Sequence, residues 1–151
     1  MQGLEAELEA RDKERALHDR AVEQHVDTFG QRAVDVERGR QQRLTQIQTA
    51  GQWMLAADTA LETGELDVDN ALSLADRAFS NVRASAARDG QGSVVVHAER
   101  ARALIGYARD AANNRDIYGA RVALQDAGLE LRLTREANLA REGTGNVLLN
   151  P

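Results

Sequence analysis

Cysteine is absent from this 151-residue chain, proline occurs once, as Pro151, and only five residues are aromatic: Phe29, Trp53, Phe79, Tyr107 and Tyr118. The lack of cysteine excludes disulfides, thiolate metal sites and cysteine nucleophiles together. With no proline before the last position, nothing in the backbone forbids long helices. Few aromatics, and one β-branched cluster at Val94-Val95-Val96, remove the residues from which sheets are built. The scarcity also limits burial, since each aromatic brings roughly 150–250 Å² to a core. An all-α fold follows, elongated or dependent on oligomerisation, with a core of Ala, Leu and Val.

Long apolar runs are lacking too. No stretch approaches the roughly 20 apolar residues of a membrane span. Met1–Glu14 is charged where a secretory leader is apolar, which predicts a soluble chain, cytoplasmic or virion-associated. Positive charge is in deficit as well: the net charge is −5, and among 19 basic residues Lys13 is the only lysine. That balance argues against a nucleic-acid partner. Arg32, Arg38, Arg40 and Arg43 do cluster, but Asp35 and Glu37 interleave with them, so salt bridges to a partner helix fit better than phosphate contacts.

What is present is helical periodicity. Within Met1–Arg20, Glu7–Arg11, Glu9–Lys13 and Arg15–Asp19 are opposite charges four residues apart, each adding roughly 0.2–0.5 kcal/mol to a helix. Its apolar content is thin, which predicts a solvated helix or one ordered by a partner. From Val22, steps of four and three pass through Val22, Val26, Phe29, Ala33, Val36, Arg40, Arg43, Ile47, Ala50, Met54, Ala57 and Leu61. Only the two arginines interrupt this apolar seam, which predicts a coiled-coil-like helix, about 60 Å long over forty residues, that oligomerises or docks on a partner. At Arg40 and Arg43, beside Gly39, either the helix breaks or the arginines meet acids from another helix or subunit.

Gly64 suits a helix C-terminus, and Asp67 or Asp69 suits the cap of a helix over 70–88 that buries Ala71, Leu72, Ala75, Ala78, Phe79 and Val82. After Asp89-Gly90-Gln91-Gly92, Ser93 is the expected cap of a helix to about Ala112, with Ala101, Leu104, Ile105, Ala108 and Ala111 inward. Asn113-Asn114-Arg115-Asp116 then turns the chain into a helix over 117–142, with Ala120, Leu124, Ala127, Leu131 and Leu133 or Thr134 inward. The resulting organisation is a long helix over 1–63, an alanine-packed hairpin region over 64–143, and a tail over 144–151 whose Val147, Leu148 and Leu149 suit docking or fraying.

The two helix pairs repeat one spacing: Trp53, Ala57 and Ala60 followed by Ala71, Ala75 and Ala78, then Leu104, Ala108 and Ala111 followed by Ala120, Leu124 and Ala127. Small residues at such positions let antiparallel helices approach closely. This spacing resembles the tetratricopeptide repeat, with Trp53 at that family's favoured Trp, Tyr107 and Ala108 near its aromatic and small positions, and Ala71 and Ala120 on its second-helix Ala. The resemblance covers residues 53–131 and implies an adaptor that binds a peptide or helix. The units stand about 50 residues apart where the family repeats every 34 or so, and no proline closes either one. In overall style the Ala/Gln/Arg-rich helices resemble internal, neck or ejection-type proteins of bacteriophage virions.

Chemistry is sparse. His18 and His25 are seven residues apart, about 10.5 Å along one helix, too far to chelate one metal within a chain. A histidine-dependent metal-binding protein, using these with His97, is the third reading. Asp67-Val68-Asp69-Asn70 starts like a calcium loop, but Leu72 stands where glycine is required and Ala78 where glutamate is. Gly90-Gln91-Gly92-Ser93 lacks the preceding strand and following lysine of a phosphate loop. The sequence nominates no catalytic residue, no cofactor and no metal ligand. It points to a structural subunit acting through protein partners, as a homo-oligomer or within a larger assembly.

Overall fold

The structure, a computed structural model, describes residues 2–64 and 67–140, and the side chains of 2–5, 19 and 21–27 are not among those described. Val147, Leu148 and Leu149 of the expected docking tail lie outside the described residues, as do the side chains of Val22 and Val26. Four helices account for the fold, and no strand occurs among the described residues: α1 (Gln2–Thr63), α2 (Val68–Arg88), α3 (Gly92–Asn113) and α4 (Ile117–Leu139).

The expected division at Gly64 is corrected. The chain separates into two compact units inside α1, at Met1–Arg38 and Gly39–Pro151. The reason is burial. Along α1, Ile47, Ala50, Met54, Ala57, Ala60 and Leu61 belong to the same core as α2, α3 and α4, so the later half of this helix is a bundle member. The alternative of a break near Gly39 is also corrected, because α1 stays helical through it.

Within Gly39–Pro151, the side-chain pairs fix the helix directions. Asp69, Asp76 and Arg83 of α2 meet Arg109, Arg102 and Glu99 of α3, so the two run antiparallel. His97 of α3 meets Glu130 of α4. On α1, Arg43, Gly51 and Asp58 meet Asn138, Leu131 and Arg121 of α4, again antiparallel. Arg43 also reaches Ser85 and Asp89 at the end of α2. Each helix therefore lies beside its sequence neighbour, and α4 returns to α1, closing an up-down-up-down bundle. An open stack of repeated hairpins would leave α1 and α4 apart.

The core is dominated by alanine. Among the described residues, twelve of its 22 members are Ala, and Phe79 is its only aromatic. All of the inward positions expected for α2 are buried, as are Ala101, Ile105, Ala108, Ala120, Leu124 and Ala127, while Leu104, Ala111 and Leu131 are half-buried. Of the two candidates in α4, Thr134 is the inward residue and Leu133 is exposed; the Thr134 hydroxyl donates to the Glu130 carbonyl at 2.7 Å, which satisfies it inside the helix. Trp53 stands at the margin of the packing: it adjoins Met54 of the buried line, and one helical step of about 100° leaves it 36% exposed.

The turns follow local chemistry with two changes. Gly64 and Gly90 take the positive φ values, 76° and 70°, that glycine adopts without penalty. Asp116 caps α4 by accepting from the Gly119 N–H at 2.9 Å. Asp67 precedes α2 without a side-chain cap, serving it through its carbonyl, which accepts from the Ala71 N–H. Ser93 lies inside α3, whose preceding residue is the buried Gln91, so the expected serine cap is not used.

Candidate interaction surfaces

A polar cluster joins α1, α2 and α4 around Arg43, whose side chain is only 1% exposed. Its Nε donates to Asn138 Oδ1 at 2.8 Å, and its Nη1 donates to Ser85 Oγ at 3.0 Å and to Asp89 Oδ2 at 2.6 Å. Asn138, also buried, returns a bond from Nδ2 to the Arg40 carbonyl at 3.1 Å. Nη2 of Arg43 is buried without an acceptor among the described residues. A charge this deep persists only when paired and hydrogen-bonded, and Asp89 supplies the counter-charge. Gly39 makes the approach possible, because a Cβ there would overlap Asp89 Oδ2. The two arginines of the seam are thus both buried in the bundle, and the acid that the sequence demanded for Arg43 comes from α2 of the same chain.

Sequence reasoning anticipated an acid opposite these arginines but missed its identity. Asp89 reads as a helix stop, and nothing in the local pattern of Ser85 or Asn138 distinguishes them from surface residues. Their common signal is long-range, between residues 42 to 95 positions from Arg43 along the chain.

A belt of ion pairs crosses the bundle surface. Arg102–Asp76, Arg109–Asp69 and Arg83–Glu99 tie α2 to α3, and Arg121–Asp58 ties α4 to α1, at 2.7–3.1 Å. The hydrogen bond to Asp76 holds the Arg102 guanidinium above its ordinary pKa, and the bonds to Asp69 and Asp58 do the same for Arg109 and Arg121. These are half-exposed or exposed pairs, which fix helix register more than they add stability.

Among the surfaces that expose apolar residues, two bear on interaction. In the unit Met1–Arg38, the described side chains are exposed except for the half-buried Val36, and they include Leu8, Leu17, Val34 and Phe29, the last 73% exposed. Of the expected seam, Phe29, Ala33 and Val36 therefore belong to a helix that buries almost nothing within its own unit, whereas Arg40, Arg43, Ile47 and Met54 are buried in the bundle. On the bundle, Leu104, Tyr107, Ala111, Tyr118, Val122 and Ala123 line a groove of about 410 Å³ between α3 and α4, bordered by Asp116 and Asp126. Tyr107 and Tyr118 are 72% and 81% exposed there.

His97 Nδ1 lies 2.8 Å from Glu130 Oε2, so this nitrogen carries the hydrogen and the pair locks α3 to α4. His18 is exposed, and the side chain of His25 is outside the description. Among the described residues, no group of three or more His, Asp or Glu is placed to hold a metal, and no helix is long and apolar enough to cross a membrane. Comparison of the chain with family models, with curated proteins and with solved structures found no match.

Proposed function

We propose that this protein is a non-enzymatic structural subunit that joins a larger protein assembly through helix–helix contacts of the first part of α1. The observation behind this reading is the exposure of that segment: a helix whose described side chains, Phe29 among them and the half-buried Val36 apart, lie in solvent while the bundle closes its own core. Isolated helices in water are marginal, and most helical stability comes from packing an apolar face on a partner. The bundle supplies a folded body, and the exposed helix supplies the contact surface. A virion of the kind the sequence resembles is one assembly that uses such parts. The experiment is a photo-crosslinking amino acid at position 29 of the full chain in its native host. A discrete adduct to a protein is expected, and the absence of any adduct overturns the reading.

The groove of Tyr107 and Tyr118 favours a second reading, an adaptor that takes a peptide or helix between α3 and α4. Exposed tyrosines with an apolar floor suit recognition, because they offer large rigid contact area at low entropic cost. Photo-crosslinking at position 107 separates the readings, since an adduct there and none at position 29 would favour the groove.

A further inference from the structure

We propose that the outer face of α3 and α4 pairs with the same face of a second copy of this chain, about a two-fold axis running along the helices. The inference is independent of the α1 contact above, and it gives the groove of Tyr107 and Tyr118 a partner other than a peptide. Each residue of a helix is turned about 100° from the one before, so Val96, Arg100, Ala103 and Tyr107 fall in one stripe of α3 about 60° wide, opposite the buried line of Val94, Ala98 and Ala101. On α4, Tyr118, Val122, Asp126, Leu129 and Leu133 fall in one stripe about 80° wide, opposite Ala120, Leu124 and Ala127. All nine stripe residues are exposed, and seven of them are apolar.

The two stripes form one face, since Tyr107 of α3 lines the same groove as Tyr118, Val122 and Asp126 of α4. The contact of His97 with Glu130 sets the level of one helix against the other. Counting from it along antiparallel helices, Arg100 and Asp126 stand side by side at the middle of the face, with the tyrosines toward one end and Val96, Leu129 and Leu133 toward the other. Neither charge is engaged in the belt of ion pairs that ties the helices together. Contiguous exposed apolar surface of this kind marks an interaction site.

One cation and one anion side by side are complementary to a second copy of themselves. A two-fold axis in the plane of the contact and along the helices lays each α3 on the partner's α4, antiparallel, so that Arg100 lies over the partner's Asp126 and Asp126 over the partner's Arg100. The same rotation sets Tyr107 over the partner's Tyr118 and Val122, and Val96 over the partner's Leu129 and Leu133. A two-fold axis across the helices through the same point sets Arg100 over the partner's Arg100 and Asp126 over the partner's Asp126, which is repulsive at both. The axis along the helices also continues the alternating up-and-down packing of the bundle from one chain into the other. The face is about 22 Å long and about 20 Å wide, which puts the dimer among small, reversible associations that dilution separates.

The test is an exchange of the two charges. Sedimentation equilibrium of the full chain is expected to show a monomer–dimer equilibrium. Arg100→Asp, which sets an acid over the partner's Asp126, is expected to weaken the dimer about tenfold or more, and Arg100→Asp with Asp126→Arg is expected to restore it. Phe29→Ser, on the exposed part of α1, is expected to leave it unchanged. Circular dichroism confirms that each variant is folded, and a photo-crosslinking amino acid at position 107 of the purified chain is expected to give a covalent dimer. A purified chain that stays monomeric at the highest concentration it reaches overturns the proposal, as does a dimer that Arg100→Asp leaves intact or that the charge exchange fails to restore. A dimer lost with Phe29→Ser assigns self-association to α1 and overturns it too. A monomeric purified chain whose position 107 links to a different protein in the native host overturns the proposal and leaves the adaptor reading standing.

Discussion

Arg43 of α1 donates to Asp89, the residue that ends α2, across 2.6 Å, and the carboxylate reaches it over a backbone position, Gly39, that has no Cβ. The pair is lopsided in burial: the arginine side chain is 1% exposed and the aspartate 15%. Removing Asp89 leaves the buried Arg43 without a counter-charge, whereas removing Arg43 leaves Asp89 reached by water and within 3.7 Å of Arg88 Nε. Asp89→Ala, which strands a buried cation, should therefore cost about 3–5 kcal/mol, and Arg43→Met distinctly less. Urea unfolding of the two variants checks the order, and equal losses would contradict the assigned role.

Gly39→Ala sets two effects against each other. Alanine favours a helix interior by about 1 kcal/mol over glycine. The new methyl group meets Asp89 Oδ2 and forces it from Arg43. Loss of the ion pair is the larger effect, so net destabilisation of about 1–3 kcal/mol is expected. In the Arg43→Met background the penalty should shrink, which a double-mutant cycle measures.

The alanine core makes enlargement harmful. Ala75 and Ala98 are completely buried on α2 and α3. Ala75→Leu should cost about 1–3 kcal/mol by overpacking, whereas Phe79→Ala should cost about 3–5 kcal/mol by leaving a cavity. Thermal unfolding of both variants tests whether close helix approach or aromatic bulk is the stricter requirement.

The groove tyrosines should be dispensable for folding. Tyr107→Ser and Tyr118→Ser are expected to shift stability by no more than about 0.5 kcal/mol, since both rings are exposed. A larger loss on urea unfolding would show that the rings pack within the fold and would remove the main support for the adaptor reading.

Amide hydrogen exchange should separate the two parts of α1. Amides at 47–61, along the buried line, should exchange only with global unfolding, and those at 6–20 orders of magnitude faster. Uniform protection from residue 6 to residue 61 would contradict the division at Gly39.

The helices themselves were legible in the sequence because their causes are local. The lack of internal proline, the spacing of Ala71, Ala75 and Ala78, the Asp116 cap and the positive φ of Gly64 and Gly90 all act within a turn or two of chain. The 22–61 seam was legible as a continuous apolar line for the same reason. Where that line is satisfied was not, because the two halves of α1 carry the same period and differ only in what lies opposite them. Only the tertiary structure placed Ile47 to Leu61 against α2, α3 and α4, left Trp53 at the margin of that packing, and brought Asp89, Ser85 and Asn138 around Arg43. Helix formation depends on near neighbours along the chain, whereas the pairing of a buried charge depends on groups that only folding brings within hydrogen-bonding distance.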